Sequence, residues 1–165
     1  MRDPRRYVKK AKELGAKGAK LIPADRVFTA DWVRLKCRFG CGGWGDRLTC
    51  PPNSPTPEET ARVLKAYRRA LLVHAGDYSD IQLIIPTLER EAFLDGFYMA
   101  FGLGAGPCER CAKCGRSCSH PDLARPAMEA CGIDVYKTAR SNGFPIEVVR
   151  SFDCKANYYG LVLLD

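Results

Sequence analysis

At 165 residues, with 46% hydrophobic and 27% charged side chains, the chain has the composition of an ordinary globular protein, most simply one domain over 1–165. Its two departures from the average are nine cysteines and a net charge of +7. The composition excludes a disordered or collagen-like chain, and no stretch is apolar and long enough to span a bilayer.

Residues 1–20 hold Arg2, Arg5, Arg6, Lys9, Lys10, Lys12, Lys17 and Lys20 against Asp3 and Glu13, which accounts for +6 of the +7. Tyr7, Val8, Ala11 and Leu14 recur at helical spacing between Pro4 and Gly15, so this segment predicts an amphipathic helix with a solvated basic face. Such a face suits an acidic redox protein partner better than nucleic acid, because a surface field acts mainly by steering encounter. Met1-Arg2-Asp3-Pro4 runs into charge with no apolar segment behind it, which predicts a cytoplasmic protein without a membrane span. In a reducing compartment nine cysteines point to metal ligands rather than disulfides.

Residues 20–23 and 26–29 read as short strands around an Ala-Asp turn, and residues 31–36 as a short helix. Cys37, Cys41 and Cys50 follow with the spacing C-x3-C-x8-C, around the loop Gly42-Gly43-Trp44-Gly45 and ahead of Pro51-Pro52. The opening C-x3-C resembles that of radical S-adenosylmethionine enzymes, but their third cysteine comes three residues later and Cys50 stands too far downstream. Thr56-Pro57-Glu58-Glu59 supplies an N-cap, a first-turn proline and two acids for a helix to about Tyr67. Residues 69–74 predict a strand for the interior of a sheet, and His74 at its end reads as a hydrogen-bonded strand terminus rather than a ligand. Residues 78–102 predict one long helix, broken or kinked at Pro86, with Leu88, Ala92, Phe93, Phe97 and Ala100 on its apolar stripe. Phe93, Phe97, Tyr98 and Phe101 read as packing on the sheet rather than as a shield for a cluster.

Cys108, Cys111, Cys114 and Cys118 then occur at the spacing C-x2-C-x2-C-x3-C, that of iron–sulfur ligation in bacterial ferredoxins. Three cysteines, each two residues from the next, wrap a short loop around a compact cuboid while turn amides point at its sulfides. A single zinc ion usually takes one close pair and a second, distant pair, so the spacing favours an iron–sulfur cluster over zinc.

Residues 125–132 and 135–142 predict two short helices, and residues 146–152 and 158–164 a closing hairpin around 153–157. The fold class is therefore α+β: a small, mostly antiparallel sheet flanked by helices, with cysteine-rich loops gathered into a metal-cluster site.

The two cysteine groups, Thr49-Cys50-Pro51-Pro52, Ala105-Gly106-Pro107-Cys108, Arg125-Pro126-Ala127-Met128-Glu129-Ala130-Cys131-Gly132 and the terminal Tyr159-Gly160-Leu161-Val162-Leu163 together resemble the prokaryotic family called domain of unknown function 2284. The resemblance implies metal binding through cysteine and a largely anaerobic prokaryotic home, and it implies no particular reaction.

Two 4Fe-4S clusters ligated only by protein need eight thiolates. Cys37, Cys41, Cys50, Cys108, Cys111, Cys114 and Cys118 supply seven; Cys131 and Cys154 compete for the eighth place. Cys131 lies among small apolar residues, whereas Cys154 lies between Asp153 and Lys155, so Cys154 is favoured. Arg38, Arg47, Arg110, Lys113 and Arg116 would offset the negative charge of thiolate-bound clusters. With no flavin, nucleotide or phosphate fingerprint, the leading reading is an electron-transfer or redox-accessory protein carrying one or two clusters. Two alternatives stand beside it. One is an enzyme with an open-coordination cluster acting on a small, possibly sulfur-containing substrate; the other is a zinc-stabilised binding module.

Overall fold

In the computed structural model, which describes residues 3–77 and 79–165, the elements run α1 (Arg6–Glu13), β1 (Gly18–Pro23), α2 (Asp31–Gly40), α3 (Pro57–Leu64), β2 (Arg69–Ala75), α4 (Ile81–Leu94), β3 (Phe101–Leu103), α5 (Val135–Ser141) and β4 (Tyr158–Leu163). Single 3-10 turns lie at Ala24–Arg26 and Glu129–Cys131. The strands form one antiparallel sheet in the order β1-β2-β4-β3, the α+β architecture that the sequence predicts.

β2 is apolar at nearly every position because both faces of the sheet are covered. Leu71, Val73 and Ala75, with Val162 of β4, pack against Tyr7 and Ala11 of α1 and against Ile81, Ile84, Ile85 and Leu88 of α4. The opposite parity, Ala70 and Leu72 with Leu161 and Leu163 of β4, meets Ile22, Met128, Cys131, Ile133, Val135 and Ala139. Alternate residues of two adjacent strands thus feed two separate cores. Ion pairs from Arg6 to Asp95 at 3.1 Å and from Lys10 to Glu91 at 3.0 Å tie the basic face of α1 to α4 and the turn after it.

α3 begins with a reciprocal cap: Glu59 N donates to Thr56 Oγ1 at 3.1 Å, and Thr56 N donates to Glu59 Oε2 at 2.8 Å. α1, β1, β2, β4 and α5 lie where the sequence predicts them. His74, next to last in β2, is hydrogen-bonded as expected, with Nε2 2.7 Å from Asn157 Oδ1 and the ring stacked on Tyr159 at 4.8 Å.

Four expectations are corrected. Residues 26–29 form no strand: Asn142 Nδ2 donates to Arg26 O at 3.0 Å and Phe28 N donates to Thr138 Oγ1 at 3.1 Å, so the neighbourhood of α5 satisfies this backbone. The helix predicted over 78–102 ends at Leu94, and Phe101–Leu103 instead joins the sheet beside β4; Tyr78 lies outside the described residues. Of its four aromatic residues only Phe97 is buried, edge-on to Tyr7 at 6.0 Å. The helix predicted over 125–132 shrinks to the turn Glu129–Cys131, closed by Gly132 in the left-handed region at φ +74°. Residues 146–152 form no hairpin strand, because β2 and β3 take both edges of β4 and leave Val148, Val149 and Phe152 exposed.

Candidate metal centre

The first cysteine group is assembled from three segments. α2 runs past the predicted 31–36 to Gly40, which puts Cys37 in its last turn and Cys41 immediately after it. Cys41 itself is extended, so the chain leaves the helix at this residue. Arg34, one turn before Cys37, donates through Nη1 to Ala130 O at 2.7 Å, Pro55 O at 3.0 Å and Ser54 Oγ at 3.1 Å. One guanidinium thus joins α2, the loop after Cys50 and the turn 129–131. Ala30 N donates to Gly132 O at 2.9 Å, which fixes the start of the same helix.

Cys37, Cys41 and Cys50 line one cavity of about 590 Å³. The indoles of Trp32 and Trp44 and the residues Tyr136, Tyr158 and Tyr159 form much of the remaining wall. Burial first, and then the neighbouring Cys41 thiol, pushes both Cys37 and Cys50 above the ordinary thiol range. A bound metal reverses that balance, because its charge favours thiolate over thiol. Gly43 N donates to Cys41 Sγ at 3.4 Å, the kind of amide contact that stabilises sulfur carrying negative charge.

The second group, Cys108, Cys111, Cys114 and Cys118, lines a separate space of about 20 Å³ together with Leu48, Thr49, Arg110 and His120. That volume is close to the room one water molecule needs, so a cluster would require the loop to open around it. The donor chemistry nevertheless fits a sulfur-rich ionic group. Thr49 Oγ1 and Arg110 Nε are buried without a hydrogen-bond partner, and both residues line the four-thiol space. His120 N donates to Cys118 Sγ at 3.4 Å. Gln82 holds the loop from α4, with Nε2 donating to Pro107 O at 2.6 Å and Oε1 accepting from Glu109 N at 3.2 Å.

The two groups share a wall: Leu48 and Thr49 face the four-thiol space while Cys50 and Pro51 face the larger cavity. Among the described residues no three histidine, cysteine, aspartate or glutamate side chains form a group able to hold a metal ion. The structure therefore shows two thiol-lined spaces and not the formed cluster site that the sequence predicts.

Cys131 is 1% exposed in the core, and burial pushes its thiol up to about 12, as befits a small apolar residue. Cys154 is exposed, lies 3.6 Å from Ser151 Oγ and lines neither space. Hydrogen bonds from the Arg150 backbone, the Ser151 hydroxyl and the Ser151 backbone lower its thiol from the ordinary value.

Of the cationic residues near the cysteines, Arg47 donates to Cys111 O at 2.7 Å, Arg110 lies 3.4 Å from Asp80, and Arg38 stands over Trp44 at 5.6 Å. Sequence reasoning gave no role to Arg34, Glu129, Thr49 or His120, although Thr49 and Glu129 lie within the motifs that carry the family resemblance and His120 stands two residues after Cys118. Glu129 lines the larger cavity and is exposed to solvent. The surrounding protein raises its carboxyl above the usual range, against a hydrogen bond from its own backbone.

The model of the family described as predicted metal-binding protein (DUF2284) matches residues 20–164. No curated protein and no solved structure matches the chain.

Proposed function

The chain belongs to this family of predicted metal-binding proteins, and from that premise we propose that it is an iron–sulfur protein holding one or two 4Fe-4S clusters, with an electron-transfer or redox-accessory role. The observation that carries the reading is the four-thiol space, where Cys108, Cys111, Cys114 and Cys118 meet two unpartnered polar groups, Thr49 Oγ1 and Arg110 Nε. These four cysteines would hold one cluster. Cys37, Cys41 and Cys50 would hold the other, with Cys154 as the proposed eighth thiol after movement of its exposed loop. When bound, such a cluster supplies a one-electron redox couple.

The protein's own groups would tune that couple. Arg38, Arg47 and Arg110 would offset negative charge, and the amides of Gly43 and His120 donate hydrogen bonds to the sulfurs of Cys41 and Cys118. The close spacing of the second cysteine group disfavours a lone zinc ion, the less supported occupant. An acidic redox protein meeting the basic N-terminal helix, in the cytoplasm, belongs to the same proposal.

A second reading has its own support. The three-cysteine group opens on a cavity of about 590 Å³, within the range of small-molecule sites, so an enzyme with an iron position left open to a substrate fits this half of the molecule.

Anaerobic absorption spectroscopy tests the proposal. The account expects a brown protein whose broad visible absorption bleaches with dithionite. A protein that stays colourless after anaerobic expression and reconstitution overturns it.

A further inference from the structure

The larger cavity offers more than its three thiols. Both tryptophans of the chain, Trp32 and Trp44, line it with Tyr136, Tyr158 and Tyr159, whereas among the described residues none of the seven phenylalanines does. Its aromatic wall therefore consists of rings that carry a polar edge. Trp32 remains 46% exposed and Tyr158 45% exposed, so the protein itself leaves much of this ring surface uncovered. Uncovered apolar surface gathered in a concavity marks a ligand site, and about 590 Å³ lies in the small-molecule range. The two charged lining residues, Lys36 and Glu129, are opposite in sign and both exposed to solvent, so no enclosed counter-charge awaits an ionic ligand.

Asn157, in the same wall, supplies the polar contact. Its Oδ1 lies 2.7 Å from His74 Nε2, and an amide oxygen only accepts, so His74 Nε2 carries the hydrogen. His74 is 8% exposed, stacked on Tyr159 at 4.8 Å and edge-on to Phe144 at 5.7 Å. A ring held in this way fixes the orientation of the amide it bonds. That leaves Asn157 Nδ2, which has no protein partner among the described residues, as a donor at the cavity wall.

We propose that this cavity binds a neutral aromatic carbonyl compound, its ring against Trp32, Trp44 and the tyrosines and its carbonyl oxygen accepting a hydrogen bond from Asn157 Nδ2. Such a compound is the substrate class for the enzyme reading of this cavity, and its role as substrate rests on that reading. Its binding needs only the side chains named.

The test uses anaerobically prepared protein with its metal in place. Equilibrium dialysis measures the binding of 1-tetralone, of its hydrocarbon counterpart tetralin and of the anion tetralin-1-carboxylate, which share one fused-ring body. 1-Tetralone is expected to bind saturably, and the carboxylate about tenfold more weakly. The ratio of tetralone to tetralin affinity reports on the donor, because the hydrocarbon's greater hydrophobicity cancels when variants are compared. Asn157→Leu removes the donor and is expected to lower that ratio about fivefold. Asn157→Asp, which still accepts from His74 but as a carboxylate cannot donate, is the second variant and carries the same expected loss. Trp32→Leu, at a half-exposed position, is expected to weaken both ligands severalfold and leave their ratio unchanged. Absence of saturable tetralone binding, an unchanged ratio in either Asn157 variant, equal binding of the carboxylate or full affinity in Trp32→Leu overturns the proposal. Iron and sulfide measured on the same samples separate this site from the cluster. Ketone selectivity without iron defeats the cluster alone; iron without the selectivity defeats the carbonyl site alone.

Discussion

Arg47 donates through Nη1 to the carbonyl of Cys111 at 2.7 Å, so the loop that ends in Cys50 is fastened to the middle of the other cysteine group. Its Nε also lies 3.1 Å from Asp46 Oδ2, and the side chain is 19% exposed. Replacing it with glutamine removes a charge-assisted hydrogen bond, and we expect folding stability to fall by about 1–3 kcal/mol. If the proposed clusters are bound, loss of a positive charge beside them would also drive their potentials more negative. Denaturant unfolding and potentiometric titration read the two effects. An Arg47→Gln protein unchanged in both would show that the contact does not join the groups.

Gly132 ends the turn that carries Glu129 and Cys131 at φ +74°, and a Cβ there would lie 2.8 Å from the Cα of Pro57. Both the backbone conformation and the contact penalise any side chain, so Gly132→Ala is expected to cost about 2 kcal/mol or more. Gly40, at the end of α2, is the control, because a Cβ added there meets nothing within 4 Å. Urea denaturation of the two alanine variants should separate them clearly; equal midpoints would contradict the packing at the turn.

The thiols should differ in reactivity. In metal-free protein near neutral pH, Cys154 is expected to alkylate first, being exposed with a lowered thiol, and Cys131 last, being 1% exposed with its thiol raised to about 12. The folded state favours the neutral Cys131 thiol, so that stabilisation is fully present below the ordinary value of 9.0 and is lost as pH rises toward about 12. Cys131→Ala should consequently lose less stability over that interval than the parent. Mass spectrometry of timed alkylation gives the order of labelling. Early modification of Cys131 at neutral pH would contradict its place in the core.

The sequence signals that held are those set by local chemistry or strict periodicity. Thr56-Pro57-Glu58-Glu59 carries its own capping partners, and residues 69–74 are apolar on both parities, as a central strand demands. What escaped depended on distant partners. Ile146, Val148 and Val149 look like a strand in isolation, yet β4 has no free edge to offer them. Phe101–Leu103 continues a helical composition, but Gly96 at φ +89° ends the turn and frees the chain to pair with β4. The cysteine spacings were legible at once. Their surroundings were not, because Arg34 reaches Ala130 across the fold and no local pattern marks it.

The central claim is that the two cysteine groups hold iron–sulfur clusters. Iron, acid-labile sulfide and zinc per chain, measured in anaerobically purified protein, test it most directly. The account predicts iron and sulfide in equal amounts, about four of each for one cluster or about eight for two, with little zinc. It further predicts that changing Cys111 to serine lowers both together. Stoichiometric zinc with no sulfide, in protein made and handled without oxygen, would contradict it.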